Sequence, residues 1–218
     1  MLARILEPEL MDSEEDAHQY DAMDHAAVNR AFVTDLLAVT VPSGEVLDVG
    51  TGTALIPIEL CRRAAGFNVV AVDLARHMLE LAETNVRRAG LADRIRLELA
   101  DSKELPYAAG RFEIVMSNSI VHHIPEPAHA VAEMLRVLAP RGILFVRDLV
   151  RPPDESTLQR LVDTYAADAN LHQRTMFADS LRAALTLDEV RALVAGFGLS
   201  PHDVCPTSDR HWTWCLRR

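Results

Sequence analysis

Short apolar runs alternate with helical stretches through the middle of the chain, and this alternation constrains the fold more than any other feature. The runs that predict strands are 46–50, 68–73, 94–99, 112–118 and 142–149. Several of them are apolar at consecutive positions, as expected for a parallel sheet that helices cover on both faces. The order therefore predicts an α/β fold with a doubly wound, Rossmann-like sheet.

The flanking segments predict helices before this alternation and more sheet after it. Residues 13–40 carry apolar side chains at helical spacing. Residues 151–185 are too long for a simple connection, so they predict a helical insertion after strand five. Strands near 201–206 and 210–217 are expected to form an antiparallel edge pair. A seven-stranded sheet with an antiparallel last strand follows.

The length of 218 residues predicts a single domain. Its expected parts are an N-terminal helical cap (1–43), a ligand-binding core (44–150), a helical lid (151–185) and a C-terminal completion of the sheet (186–218).

Net charge and the length of the apolar runs indicate which kinds of partner are disfavoured. The formal net charge is −10, which disfavours a broad nucleic-acid surface because phosphates need clustered Lys and Arg. No apolar run is long enough to cross a membrane, and the N-terminus is acidic where a signal peptide would be apolar. A cytoplasmic protein is expected, with neither nucleic acid nor a membrane as its partner.

Cysteine and histidine spacing predicts no metal site. The three cysteines are widely spaced, and the nine histidines form no H-x-x-x-H or H-E-x-x-H motif. The cysteines are expected to be small buried side chains rather than reactive thiols.

The turn after the first strand reads Asp48-Val49-Gly50-Thr51-Gly52-Thr53-Ala54-Leu55. A dinucleotide fingerprint would place Gly or Ala where Leu55 stands, and a phosphate-binding loop of the Walker A type would need a lysine. The carboxylate of Asp48 suits a cationic amino group better than a phosphate. These residues favour a ligand other than NAD or a nucleoside triphosphate.

The next strand ends also carry polar residues. Asp73 lies 23 residues after Gly50, where a carboxylate can accept hydrogen bonds from a ribose diol. The third strand is followed by Asp101 and Ser102, and the fourth ends in Ser117-Asn118-Ser119. Each residue alone is weak support, because an Asp at a strand end is commonly a helix cap. Their succession indicates one ligand site along the strand ends.

This succession resembles the class I S-adenosylmethionine-dependent methyltransferases, and its small-molecule branch most of all. EVLDVGTGTA, VVAVDLA, LADSKELPY and FEIVMSNSIVHHIPEP carry the resemblance. It implies that S-adenosylmethionine is the cofactor and that a small molecule accepts the methyl group.

The resemblance also implies roles for single residues. Gly50 and Gly52 would approach the methionine moiety, Asp73 would bind the ribose, and Asp101 and Ser102 would hold the adenine. Asn118 would lie near the sulfonium, and an N-terminal aromatic, Tyr20, would close over the cofactor. The full set of cofactor-binding candidates is Tyr20, Asp48, Gly50, Thr51, Gly52, Asp73, Leu74, Asp101, Ser102 and Asn118.

Catalytic candidates follow the fourth and fifth strands. His122 and His123 could accept a proton or contact the ligands, or they could cap the next helix. Asp148 could orient another group or simply pair with Arg147. A base is needed only if the acceptor is protonated. In the lid, Tyr165, His172, Arg174 and Met176 could line the acceptor site, or serve only packing and solvation.

Other functions remain open from sequence. The chain could bind S-adenosylmethionine without turnover, or it could be an NAD-dependent oxidoreductase. A methyltransferase acting on RNA or protein is disfavoured, because the N-P-P-[YF] motif is absent and SNSI stands in its place.

Overall fold

The protein is described by a computed structural model that covers residues 2–7, 13–41 and 43–218. The predicted N-terminal cap includes residues 1, 8–12 and 42, which lie outside the described residues. No helix within the described ranges is long and apolar enough to span a bilayer.

The strands lie within a few residues of their predicted positions. They are β1 (Ser43–Val49), β2 (Gly66–Asp73), β3 (Ile95–Leu99), β4 (Phe112–Asn118), β5 (Leu138–Leu149), β6 (Val204–Pro206) and β7 (His211–Arg217). The helices are α1 (Glu14–Asp21), α2 (Ala26–Val39), α3 (Leu55–Arg63), α4 (Arg76–Arg88), α5 (Pro127–Val137), α6 (Glu155–Tyr165), α7 (Leu171–Ala183) and α8 (Leu187–Gly196). A short 3-10 turn at Val121–His123 precedes α5.

The strands form one seven-stranded sheet in the order β3-β2-β1-β4-β5-β7-β6. β1 pairs in parallel with both β2 and β4, and β6 pairs antiparallel with β7 at the edge. The winding reverses between β1 and β4, which is the place where open α/β sheets bind their ligands. The predicted fold class is confirmed.

The chain divides into two compact units, and β5 contributes to both. The first, called here the loop unit, comprises described residues 13–41, 43–118, 129–145 and 216–218. The second, called the insertion unit, comprises described residues 2–7, 119–128 and 146–215. The single-domain organisation stays a prediction.

The core of the loop unit is built from strands that are buried on both faces. In β1 every residue from Val46 to Val49 is buried, which explains why this stretch is not alternating in sequence. Phe32 of α2 meets Phe145 edge to face, with 5.0 Å between the ring centres.

The insertion unit has an apolar core of its own. It consists of Leu149, Leu158, Leu161, Val162, Ala166, Leu181 and Ala184, with Leu2 and Phe177 packed against it. Asn170 and Gln173 form a capping box at the start of α7, and Thr186 and Glu189 form another at α8. The predicted helical insertion is therefore present.

Arg94 ties the end of α3 to β2 within the loop unit. Its guanidinium donates to the carbonyl oxygens of Cys61 and Ala64 at 2.7 Å each, and twice to that of Phe67. Carbonyls at a helix C-terminus have no partner within the helix, so a charged donor is well placed there.

Replacing Arg94 by Met is expected to lower the free energy of unfolding by about 2 kcal/mol, because three carbonyls lose a charged donor. Urea denaturation measures the change. Arg88→Met, at an exposed position of α4, is the matched control, and an equal loss in both variants would contradict this account of Arg94.

Candidate functional site

The glycine turn after β1 needs its two glycines. Gly50 and Gly52 have φ of 75° and 55°, in the left-handed region that side chains disfavour. The N–H groups of Gly50 and Thr51 both donate to the carbonyl of Val72 at 2.9 Å. The turn therefore lies close against the end of β2 as it leads into α3.

The carboxylate of Asp73 fixes this turn. Its Oδ2 accepts from the N–H of Gly52 at 2.8 Å, and its Oδ1 accepts from the N–H of Ala75 at 2.9 Å. The carboxylate thus joins the glycine turn to the residue that precedes α4. Leu74, beside it, leaves 39% of its surface exposed at the same strand end.

Asp48 is a buried carboxyl beneath the turn. Only 2% of the surface of Asp48 is exposed. Burial raises the pKa of Asp48 to about 7, and the nearby charge of Asp73 adds to the rise. The Thr51 hydroxyl offsets the shift only in part, and its oxygen makes no well-formed hydrogen bond.

A small cavity of about 20 Å³ lies between the turn and the N-terminal helices. It is lined by Tyr20, His25, Asn29, Asp48, Gly50, Thr51, Thr53, Leu55, Ile56 and Asn118. The hydroxyl oxygens of Thr51 and Thr53 are buried there without a hydrogen-bond partner. A buried hydroxyl usually finds a partner, so this cavity is polar enough to hold a ligand group.

Tyr20 covers the turn from α1. Its Cε1 lies 3.6 Å from the point that a Cβ on Gly52 would occupy. Burial raises the pKa of Tyr20 to about 12, and the carboxylates of Asp73 and Asp48 contribute. Tyr20 is therefore a neutral hydroxyl at physiological pH. His25 stacks on its ring at 4.6 Å and hydrogen-bonds the Tyr20 carbonyl.

Asp101 and Ser102 lie in the turn after β3. Asp101 accepts from the N–H of Lys103 at 2.9 Å and pairs with the Lys103 ammonium at 3.0 Å. Burial alone would raise the pKa of Asp101, but Lys103 lowers it below its ordinary value. The carboxylate is thus ionised and oriented by its own turn.

In the insertion unit, His122 and Asp148 form a buried pair. Nδ1 of His122 lies 2.5 Å from Asp148 Oδ1, and the two residues are 3% and 1% exposed. Burial opposes charge on the ring, yet Asp148 and then Glu7 raise the pKa of His122. His122 in turn lowers the pKa of Asp148, against the effect of burial. Asp148 therefore orients His122, whereas Arg147 donates to Thr213.

Glu7 joins this pair from far away in sequence. Its Oε1 lies 3.4 Å from His122 Nε2 and 3.0 Å from His123 Nδ1. Both nitrogens of His122 therefore face carboxylates. Burial alone would raise the pKa of Glu7. The two histidines and Ser180 outweigh this effect, so the pKa lies below its ordinary value.

Arg4 holds the segment of residues 2–7 in place. Its guanidinium donates to the carbonyl oxygens of Ala183, Pro125, His122 and Ile124 at 2.7 to 3.3 Å. Sequence reasoning missed Arg4, Glu7 and Thr53. No local signal marks Arg4 or Glu7, because their partners lie more than 110 residues away.

The lid candidates have contacts within the insertion unit. Tyr165 donates to the carboxylate of Asp209, and Arg210 lies over its ring at 3.3 Å. Arg174 pairs with Asp163 and donates to the carbonyl of Ala166. His172 is exposed. These contacts support packing and solvation, the alternative considered for the lid residues.

The reversal of winding between β1 and β4, the paired glycines and the acid at the end of β2 are typical of the Rossmann-like α/β class. The profile of the "Methyltransferase domain" family matches residues 47–146. The malonyl-[acyl-carrier protein] O-methyltransferase of Geobacter sulfurreducens is 32% identical over 192 residues, which cover 86% of this chain and 68% of that protein.

A second sequence relative and a solved structure are also similar to this chain. The 27-O-demethylrifamycin SV methyltransferase of Amycolatopsis mediterranei is 29% identical over 85% of this chain and 67% of its own length. The structure of an Aquifex aeolicus SAM-dependent methyltransferase superposes with a TM-score of 0.69 and 16% identity, over 93% of this chain and 97% of that one. The chain spans a smaller share of other relatives, such as 38% of the methyltransferase GfsG of Streptomyces halstedii.

The chain belongs to the class I S-adenosylmethionine-dependent methyltransferases. The family that the strand-end residues indicate is thereby confirmed.

Asp48→Asn is expected to change how the stability of the ligand-free protein depends on pH. Because the folded-state pKa is about 7, above the ordinary 3.8, protonation favours the fold. This contribution is full below about pH 4 and is lost as the pH rises through about 7.

Between about pH 5 and about pH 8, the wild type should therefore lose roughly 2–3 kcal/mol of unfolding free energy relative to the Asn variant. Urea denaturation of both proteins at both pH values measures the difference. Parallel pH profiles would show that Asp48 is ionised throughout.

Proposed function

We propose that this protein transfers a methyl group from S-adenosylmethionine to a small-molecule acceptor. The observation that carries the proposal is the convergence of Asp48, the glycine turn, Asp73 and Asn118 at the strand ends of one unit in a chain of this family. The alternatives lack a comparable observation. Leu55 lines the cavity where a dinucleotide site needs a small residue.

The residues fit the cofactor by the chemistry of their donors and acceptors. The buried, unpartnered hydroxyls of Thr51 and Thr53 would serve its methionine end, together with the carboxyl of Asp48. Asp48 would be ionised by a cationic amino group, because an opposite charge favours the charged form. The carboxylate of Asp73, at the end of β2, would accept from the ribose hydroxyls. Asp101, Ser102 and Leu74 would hold the adenine end.

When bound, S-adenosylmethionine supplies an activated methyl group for in-line displacement. The protein contributes positioning and the exclusion of water. Gly50 and Gly52 allow close backbone approach, Tyr20 covers the turn, and Asn118 contributes a polar contact at the end of β4. His122 has both nitrogens directed at carboxylates, which supports a positioning role for the His122–Asp148 pair.

The acceptor is proposed to be a small molecule because the names of the relatives describe such chemistry. One relative methylates an oxygen of a rifamycin, as its name states, and others are ubiquinone and menaquinone C-methyltransferases. A cytoplasmic location is part of the same proposal.

The test is calorimetric titration of the protein with S-adenosylmethionine, S-adenosylhomocysteine and NAD in parallel. Micromolar binding of the two sulfur nucleosides without NAD binding is expected. Turnover of a small-molecule panel, followed as S-adenosylhomocysteine release, then distinguishes an enzyme from a noncatalytic binding protein. Binding of NAD alone would overturn the proposal.

Asp73→Ala should weaken S-adenosylhomocysteine binding roughly 10- to 100-fold, because the ribose loses a charge-assisted acceptor and the turn loses its anchor. Asp93→Ala, an exposed acid in the same unit, is the matched control. Unchanged affinity in the folded Asp73 variant, confirmed by circular dichroism, would refute the ribose assignment.

Tyr20→Ala should weaken binding of the same ligand about tenfold, and Tyr20→Phe should restore most of it. The reason is that the ring, rather than the hydroxyl, contacts the turn at Gly52. Equal affinities in wild type and Tyr20→Ala would show that Tyr20 does not cover the cofactor.

A further inference from the structure

A cluster of potential metal ligands lies in the insertion unit, apart from the cofactor residues. Glu7, His122 and His123 each offer one ligand atom, and these atoms lie within 4.8 Å of one another. Glu7 Oε1 is 3.4 Å from His122 Nε2 and 3.0 Å from His123 Nδ1. Ligands bound tetrahedrally to one zinc ion are separated by about 3.3 Å, as follows from bonds of roughly 2.0–2.1 Å. The two separations between Glu7 and the histidine nitrogens are close to that value.

The nitrogen of His123 is not accounted for by hydrogen bonding. Nδ1 is buried and makes no well-formed hydrogen bond, although the Glu7 carboxylate lies close to it. Its close partner is the Glu7 carboxylate at 3.0 Å, in a geometry that is poor for a hydrogen bond. A cation between the nitrogen and the carboxylate would satisfy both.

The surroundings of the three residues are those that metal sites require. Asp148 holds Nδ1 of His122 at 2.5 Å, which leaves Nε2 as the ligand nitrogen. The hydroxyl of Ser180 donates to the Glu7 carboxylate at 3.2 Å. Arg4 fixes the backbone of the histidine pair by bonding the carbonyls of His122 and Ile124. The side chains of His122 and Glu7 are thus each oriented by a neighbour before any ion binds.

We infer that Glu7, His122 and His123 bind a divalent transition-metal ion, with Asp148 and Ser180 as the groups that orient the ligands. Two imidazoles and one carboxylate favour zinc over magnesium or calcium, which prefer oxygen ligands. Three protein ligands leave a fourth tetrahedral position for water or for an oxygen or nitrogen of a bound molecule. This inference is independent of the proposed methyl transfer and replaces the expectation, drawn from motif spacing, of no metal site.

Metal titration of the chelator-treated protein, without an affinity tag, tests the inference. One equivalent of Zn²⁺ should bind with micromolar or tighter affinity in competition with a chromophoric chelator. Co²⁺ should give the visible absorption of a tetrahedral nitrogen–oxygen site, without a thiolate charge-transfer band. A thiolate band would place the ion at a cysteine and overturn the inference.

Variants assign the ligands. Glu7→Gln and His123→Ala should each weaken Zn²⁺ binding at least about 100-fold, and Asp148→Asn should weaken it roughly 10- to 100-fold. His129→Gln, an exposed histidine outside the cluster, should leave it unchanged. If the cluster is only a set of ion pairs, no stoichiometric binding will be seen, or Glu7→Gln will bind like the wild type. Either result overturns the inference.

Variants that fail to fold do not leave the question open. Anomalous diffraction from wild-type crystals grown with Zn²⁺ locates the ion directly. A peak between Glu7, His122 and His123 supports the site, and a peak elsewhere or none refutes it.

Discussion

The carboxylate of Asp73 is the interaction on which the loop unit's candidate site depends. By accepting from Gly52 and Ala75, it joins the turn after β1 to the start of α4, two segments that are only neighbours because β1 and β2 pair in parallel. Gly50 and Gly52 adopt the left-handed backbone without steric cost, and this contact and the Val72 carbonyl hold the turn in that conformation. Burial raises the pKa of Asp48, and the charge of this carboxylate adds to the rise. A structural anchor thereby also contributes to the electrostatics of the site.

Elements with strong local signals could be predicted from sequence. β4 was predicted at 112–118 and lies at those residues, since an apolar run bounded by polar residues has few alternatives. The capping box at Thr186 is an equally local signal. The sequence pattern predicts β5 only from residue 142, whereas the strand begins at Leu138. Pro140 and Arg141 interrupt the apolar run there, and Arg141 has a left-handed backbone with φ of 67°.

In the candidate site too, residues with a local sequence signal could be predicted, and residues placed by tertiary contacts could not. Asp48, the glycines, Asp73 and Asn118 follow strand ends, so their order along the chain predicts their neighbourhood in a parallel sheet. Sequence left open whether Asp148 pairs with Arg147 or orients another group. Alternation along β5 places these neighbours on opposite faces, and the structure shows Asp148 against His122 and Arg147 against Thr213. Glu7 carries no such signal, because contacts between the N-terminal segment and the histidines are purely tertiary.

The two buried carboxyls, Asp48 and Asp148, differ in how many hydrogen-bond donors surround them. Asp48 is buried with few partners. Burial raises its pKa and so favours the neutral carboxyl. Asp148 is equally buried but stays ionised. Its donors are the ring of His122 and the backbone N–H groups of His122 and Leu149. A carboxyl with a pKa of about 7 gains charge readily when a cation binds beside it, which suits reversible binding. A carboxylate that is already fully bonded is suited to holding an imidazole in one orientation, whatever that imidazole then binds.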